Sequence, residues 1–156
     1  MDPEDDVFFV DGMFAIAHAQ FAIEQCMPAH MTLLFPKDKK RRDGETDCVL
    51  FPMPDPSKES QKDYANRLRR EARRIDAVAA VFLAEADVWD DGDIIGASGT
   101  SKQEHVVLMQ IEQFDRAKPR VYQAAIEGTP GSLVLGEFVQ IEEPGECFPS
   151  VLLPKN

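Results

Sequence analysis

Apolar residues between positions 7 and 25 predict a long helix near the start of the chain. They keep roughly helical spacing, but apolar residues also occupy much of the opposite side. A helix that is apolar on most of its faces is buried or pairs with another subunit. Pro28 ends the helix because proline cannot continue the backbone hydrogen-bond ladder. We therefore expect a buried helix or a homodimer contact at residues 7–25, after a flexible acidic tip at residues 1–6.

The sequence after Pro56 predicts a second, amphipathic helix. Ser57 is a suitable N-cap, with Glu59 in the first turn. Four apolar residues recur at helical spacing and form one stripe: Tyr64, Leu68, Ala72 and Ile75. Arginines cover the rest of the circumference and gather near the helix C-terminus, where cations offset the negative end of the helix dipole.

Six shorter apolar segments predict strands. The first two, Met31–Phe35 and Cys48–Met53, flank a charged turn and form a hairpin, whose loop at residues 37–46 is expected to be mobile. The other four are Val78–Trp89, His105–Phe114, Arg120–Ile126 and Leu133–Ile141. Short connectors between the last three predict hairpins, so these four strands form an antiparallel meander.

These elements predict a single α+β domain over residues 1–156. We expect a mainly antiparallel sheet, built from the C-terminal β-meander, with two helices packed on one face. The first half of the strand at 78–89 is apolar on both faces, which is typical of a central strand. Residues 144–156 are punctuated by proline and are expected to form an extended tail. The predicted core contains Phe14, Ile16, Leu68, Ile75, Val81, Leu83, Val107, Met109, Ile111, Ile126, Leu135 and Val139.

The charge of the chain is strongly negative and unevenly placed. A net charge of -11 argues against a generic duplex-binding protein, because phosphate binding needs a positive face. Residues 37–74 nevertheless hold 12 of the 17 basic and 8 of the 28 acidic residues, so this middle segment carries +4 and the rest carries −15. The chain has no apolar run of ~20 residues, so the sequence predicts no membrane span. Its acidic start is unlike a secretory signal, which begins with positive charge. We therefore expect no membrane partner.

The three cysteines, Cys26, Cys48 and Cys147, are an odd number at wide spacing. This pattern is not typical of a disulfide framework and favours reduced thiols and a cytoplasmic location, although one disulfide with one free thiol stays open. Together with His30 the thiolates could supply four zinc ligands, but structural zinc sites usually bring two close pairs. We expect these cysteines to behave as isolated small hydrophobes, and we expect no metal and no cofactor.

The segment of residues 90–101 is the candidate site for catalysis or for a small ligand. It matches a calcium loop at Asp91, but the third and twelfth places of that loop would be Trp89 and Ser98, which offer no carboxylate. Ser98 also lies in a sequence that falls short of the glycine-flanked nucleophile elbow. An enzyme is therefore not expected, and the candidate residues of this alternative are Asp91, Asp93 and Ser98.

Two basic segments are the candidate contacts for a partner. One is the loop at residues 39–42, and the other is the arginine face of the second helix at residues 67–74. They could bind RNA, DNA or an acidic protein, or the helix arginines could pair with carboxylates of this chain. The candidate partner-binding residues are Lys39, Lys40, Arg41, Arg42, Arg67, Arg70 and Arg74.

Residues 85–111 resemble a group of uncharacterised small bacterial and phage proteins. The resemblance is carried by Glu85, Ala86 and Trp89, then by a loop with Ser98, and then by Glu104 at the entrance of a strand. Two extra residues before Trp89 interrupt the Glu-Ala-Trp cluster of the group. The group has no agreed activity, so the resemblance implies no mechanism.

The separated charges and the incomplete catalytic motifs together predict a non-enzymatic, acidic interaction or regulatory protein, encoded by a phage or a mobile element. It would bind a macromolecular partner, most simply a protein, electrostatically. An acidic exterior can imitate nucleic acid and occupy a basic groove, although acidity is also typical of soluble proteins. The alternatives are a small-ligand protein or enzyme that uses residues 90–101, and nucleic-acid binding through residues 39–42 and 67–74, which is not favoured.

Overall fold

The computed structural model describes residues 3–41, 44–89, 103–142 and 148–152. The elements of these residues are α1 (Pro3–Glu24), β1 (His30–Pro36), β2 (Thr46–Pro52), α2 (Gln61–Arg74), β3 (Ala79–Trp89), β4 (Gln103–Gln113), β5 (Arg120–Glu127), β6 (Val134–Leu135) and β7 (Val139–Ile141). The described strands form one antiparallel sheet in the order β2-β1-β3-β4-β5-β6, with β7 also paired to β5. This architecture confirms the predicted α+β fold.

The two helices lie on opposite faces of the sheet, and the predicted placement on one face is wrong. Alternate residues of a strand point to opposite faces, and in β3 both sets are buried. Val81 and Leu83 pack in the cluster that contains α1, whereas Ala80 and Phe82 pack in the cluster that contains α2. We call the side covered by α1 the first face and the side covered by α2 the second face.

Helix α1 begins earlier than predicted, because an ion pair holds its first turn. Residues 3–6 are helical rather than a flexible tip, and the Asp6 side chain is buried against the turn between β4 and β5. Arg120 donates to both carboxylate oxygens of Asp6, at 2.8 and 2.9 Å, and Arg116 donates at 2.9 Å. Burial alone would raise the pKa of Asp6. The pKa is nevertheless lowered below its usual value, because Arg120 and Gln113 donate hydrogen bonds to the carboxylate and the positive charges of Arg120 and Arg116 lie beside it.

Helix α2 begins at Gln61, three residues later than the sequence predicted. Ser60 is the N-cap, since its hydroxyl accepts a 3.1 Å hydrogen bond from the Asp63 amide. The predicted cap, Ser57, is used differently: its amide donates to the Asp55 carboxylate at 3.0 Å, inside a turn that precedes the helix. The helix was therefore predicted correctly, but its capping residue was not.

The described part of the C-terminal tail is packed into the second face. Phe148 and Val151 are buried in the cluster that contains α2. The Gln110 side chain exchanges two hydrogen bonds with the Phe148 backbone, at 3.0 and 3.1 Å. Glu112, which is 1% exposed, accepts a 2.8 Å bond from the Val151 amide. Residues 148–152 therefore complete the core on this face instead of only crossing the surface.

Two members of the predicted core are exposed, namely Ile16 at 58% and Val139 at 60%. Phe14, Ile75 and Ile126 are partly buried against the two clusters, and the other seven predicted residues are buried. Val139 is exposed because the strand predicted at Leu133–Ile141 is divided into β6 and β7.

Candidate binding groove beside helix α1

Helix α1 covers only part of the first face. Its inner side packs toward β5 and the segment that follows it: the Phe14 ring meets Tyr122 edge-on at 5.0 Å and stacks on Phe138 at 4.8 Å. The hairpin of β1 and β2 therefore extends beyond the helix on this face. The β2 side chains on this face are exposed: Thr46, Cys48 and Leu50.

An apolar groove lies between α1 and this hairpin, and it consists of two adjoining cavities. The first cavity has a volume of about 370 Å³ and its apolar lining includes Phe9, Val78 and Phe114. The second has a volume of about 190 Å³ and reaches Leu50. Met13 and Leu34 line both cavities, so the two form one trough. The carboxylate residues that line the first cavity are Asp5, Glu45 and Asp115.

The predicted basic loop lies beside the first cavity. The loop is closed by the Lys37 amide, which donates to the Glu45 carbonyl at 2.9 Å, and Glu45 itself lines the cavity. Lys39, Lys40 and Arg41 are exposed. Arg42, the fourth predicted contact, lies outside the described residues. Three of the four predicted basic side chains of the loop are therefore open to a partner next to an apolar pocket.

The arginines predicted on α2 differ in their partners. Arg67 donates to both carboxylate oxygens of Glu59, at 2.9 and 3.1 Å, and bonding to Glu59 raises its pKa. Arg74 donates to Glu71 at 2.8 Å on the helix surface, and Arg70 is exposed. Arg67 and Arg74 are therefore both paired with carboxylates of this chain, while Arg70 and Arg74 stay exposed at the surface.

The chain brings the two basic segments to the same end of the sheet. β3 begins where β1 ends, since Ala79 pairs with Leu34 and the Val78 amide donates to the Leu34 carbonyl at 2.8 Å. The end of α2 at Arg74 and the loop at residues 37–41 both adjoin this point, and the first cavity opens there too. We call this region the basic end of the sheet.

At the opposite end of the sheet, one histidine is held between two carboxylates. The ring nitrogens of His105 donate to Asp87 at 2.6 Å and to Glu85 at 2.5 Å, and Glu85 also accepts a 2.7 Å bond from the Met27 amide. Hydrogen bonds to Asp87 and Glu85 raise the pKa of His105, because they favour its charged form. The two carboxylates on either side of the ring therefore favour the charged imidazolium over the neutral ring.

The other chemical candidates from the sequence do not assemble among the described residues. Cys26 and Cys48 are exposed rather than buried, so the prediction of buried small hydrophobes is wrong for these two. No group of three His, Cys, Asp or Glu residues in the described segments is placed to hold a metal ion. Cys147 and the candidate residues Asp91, Asp93 and Ser98 lie outside the described residues.

The groove was not predicted from the sequence, although one local signal points to it. β2 carries Cys48 and Leu50 on one side and Val49 and Phe51 on the other, so only one set can be buried if a single layer covers the hairpin. The other set must then stay exposed or bind something.

Comparisons of the chain with protein-family models, with curated proteins and with solved structures gave no match. The resemblance of residues 85–111 to bacterial and phage proteins thus stays a prediction, and the site is interpreted from its own geometry.

Proposed function

We propose that this protein is a non-enzymatic binding protein that holds an apolar side chain of a partner protein in the groove, while charges around the groove orient the partner. The observation that supports this proposal is the first cavity, at about 370 Å³. That volume lies within the range of ligand sites, roughly 300–1,000 Å³. An apolar pocket with a charged rim is also the usual anatomy of a protein interface, in which buried anchors supply most of the binding energy.

The charge around the groove favours a protein partner over nucleic acid. The basic end of the sheet presents Lys39, Lys40 and Arg41, but carboxylates line the cavity beside them, among them Glu45. Phosphate groups bind to continuous positive surfaces, and a net charge of -11 opposes them further. A protein segment can carry both positive and negative side chains, so it can match a rim that carries charges of both signs.

The separation of charge favours a partner that is steered before it docks. The basic end carries the exposed loop residues, and the opposite end carries Glu85, Asp87 and Glu104. Complementary potentials raise association rates and suppress incorrect orientations. We expect the association rate of a partner to fall as salt is added, while an apolar anchor keeps the dissociation rate nearly constant.

The proposal is tested with random peptides displayed on phage and selected on the immobilised full chain. Selected peptides are expected to carry an aromatic or long aliphatic residue flanked by charges, and their Kd is measured by fluorescence anisotropy. Thr46→Trp places a large ring over the first cavity from an exposed strand position that tolerates aromatic residues. It is expected to weaken peptide binding at least about tenfold.

The matched control is Asp47→Trp, because the next residue of a strand points to the opposite face. Its affinity is expected to stay within about twofold of the unmodified protein. Failure to select any binding peptide, or equal weakening by both variants, would overturn the proposal. If labelled single-stranded DNA binds instead, and Lys39→Glu with Lys40→Glu abolishes that binding, the nucleic-acid alternative replaces it.

A further inference from the structure

The side of α1 that points away from the sheet is apolar along most of the helix. Phe8 and Ile23 are each 83% exposed, and Ile16 is 58% exposed. At 3.6 residues per turn, Phe8, Gly12, Ala15, Ala19 and Ile23 fall within an arc of about 80°. We call these five residues the outer stripe of α1. Isolated exposed hydrophobic residues are ordinary, but a continuous apolar stripe marks an interaction surface.

The outer stripe is complementary to itself in the antiparallel direction. Its large residues, Phe8 and Ile23, stand at the two ends, and its small residues, Gly12 and Ala19, stand at equal distances from the centre. A two-fold axis near Ala15 therefore places Phe8 of one subunit against Ile23 of the partner subunit, and Gly12 against Ala19. Small residues at the crossing let two helix backbones approach closely, and a two-fold interface uses the same patch on both subunits.

The acidic residues of α1 favour this antiparallel arrangement over a parallel one. α1 contains no Lys or Arg and carries carboxylates mainly in its first half. A parallel pair would place Asp11 against Asp11 and Glu4 against Glu4 of the partner subunit, which like charges oppose. An antiparallel pair places Asp11 against Gln20 instead, and it also opposes the two helix dipoles.

The same charges argue against a lipid surface as the occupant. From Glu4 to Glu24, α1 is long and apolar enough to cross a membrane by length and composition, contrary to the sequence-based expectation, and 22% of its most apolar window is buried. Helices that lie on membranes usually carry Lys and Arg on their polar face, whereas the polar positions of α1 include Glu4, Asp11 and Glu24.

We infer that α1 binds α1 of a second copy of this chain as an antiparallel, two-fold pair through the outer stripe. The outer stripe shares Phe8 and Gly12 with the lining of the first cavity, whereas Ala15, Ala19 and Ile23 line neither of the two cavities. Self-association is measured without any peptide, so a failure of the dimer and a failure of the proposed function are distinguishable. From Phe8 to Ile23 the contact is about 23 Å long. A single helix pair of that length buries less than the ~800 Å² per partner of a standard interface, so the dimer should dissociate at micromolar concentrations.

Sedimentation equilibrium of the full chain from about 1 to 300 μM tests the dimer. The mass should rise from the 17.5 kDa of one chain toward twice that value. Gly12→Glu is expected to weaken association at least about tenfold. This substitution does not strain the monomer, because an added Cβ at Gly12 meets no atom within 4 Å. The control, Gln61→Glu on α2, adds the same charge elsewhere and should leave the mass curve unchanged.

A second substitution tests the direction of the pair. Adding Ala19→Lys to Gly12→Glu places opposite charges against each other only when the helices are antiparallel, so the double variant should bind at least about tenfold more tightly than Gly12→Glu alone. No recovery, with the single variant weakened, would overturn the antiparallel arrangement. A monomer at every concentration would overturn the dimer, and binding of that monomer to phosphatidylcholine vesicles would assign the outer stripe to lipid.

Discussion

Asp6 fixes the position of α1 on the sheet through a single buried carboxylate. Its two oxygens take up three bonds from Arg116 and Arg120, in a geometry that matches the planar guanidinium of Arg120. The arginines are 44% and 14% exposed, and the Asp6 side chain is 11% exposed. Because Arg120 is almost enclosed, its charge depends on Asp6 for compensation.

We expect Asp6→Asn to lower the free energy of unfolding by about 3 kcal/mol, since it leaves a buried arginine without its counter-charge. The pKa of Asp6 is lowered in the folded protein. Its ionised form therefore stabilises the fold above the unfolded pKa of about 3.9, and this stabilisation is lost as pH falls below that value toward the lowered folded pKa. Urea unfolding followed by circular dichroism measures both effects.

The control for this prediction is Asp11→Asn, which removes an exposed carboxylate from the same helix. It should change the free energy of unfolding by less than about 0.5 kcal/mol. The free energies of unfolding of the unmodified protein and of Asp6→Asn should converge as pH falls from about 5 to about 2. If their difference does not shrink over this range, the ion pair is not the cause of the difference.

The role of Asp6 could not be predicted from the sequence. An acidic run at the start of a helix is also what a solvated helix N-terminus looks like, because carboxylates favour the positive end of the dipole. The partners of Asp6, Arg116 and Arg120, follow it by more than 100 residues. The local sequence does not indicate which carboxylate of the acidic run pairs with these two arginines.

Among the elements, the packed tail of residues 148–152 has the clearest energetic consequence. The Phe148 ring stacks on Phe82 at 4.4 Å and meets Tyr64 edge-on at 5.9 Å. Tyr64 is itself enclosed, and its burial raises its pKa to about 12. The tail therefore closes an aromatic cluster that α2 leaves open.

We expect Phe148→Ala to lower the free energy of unfolding by about 3 kcal/mol, because it removes a buried aromatic ring and leaves a cavity. Chemical denaturation should show a lower midpoint with little change in slope. Pro149→Ala is the matched control, since Pro149 is exposed in the same segment, and it should change stability by less than about 0.5 kcal/mol. Equal stability of Phe148→Ala and the control would contradict the packing of the tail.

The helices and most strands could be predicted because their signals are local. The stripe of Tyr64, Leu68 and Ala72 is buried as predicted. The placement of both helices on one face was wrong, although the sequence held the contrary signal: the first half of β3 is apolar on both sides, and a strand of that kind needs cover on both faces. The groove could not be predicted, because its walls come from α1, β1, β2 and the turn after β4.

At the scale of the whole molecule, net charge should control stability. The chain has a net charge of -11, and an exposed pair such as that between Lys37 and Glu45, which spans 3.9 Å at the surface, is weak. Self-repulsion therefore outweighs the weak attraction of exposed pairs. We expect the Tm to rise by several degrees between about 0.02 and 0.5 M sodium chloride, because salt screens repulsion between exposed charges.

A variant with fewer negative charges serves as the control for this salt effect. Glu127→Lys with Glu137→Lys replaces two exposed carboxylates and brings the net charge from -11 to −7. Its Tm at low salt should be higher, and its gain from added salt should be smaller. Scanning calorimetry measures the Tm at low salt and its change with added salt. A Tm that falls with salt in the unmodified protein would show that attraction between opposite charges dominates.

The sequence predicted that charge is separated along the chain, because composition can be counted segment by segment. It could not show that the loop at 37–41 and the end of α2 meet at one end of the sheet, which depends on the pairing of Leu34 with Ala79. Whether that end recognises a partner stays a prediction.

The position of α1 has a consequence for synthesis of the chain. α1 leaves the ribosome well before the rings that cover its inner side, because Tyr122 and Phe138 follow Phe14 by more than 100 residues. Until then the inner side of the helix lacks its cover, and such exposed apolar surface promotes aggregation of nascent chains. Expression at a slower rate or with added chaperones should therefore raise the soluble yield.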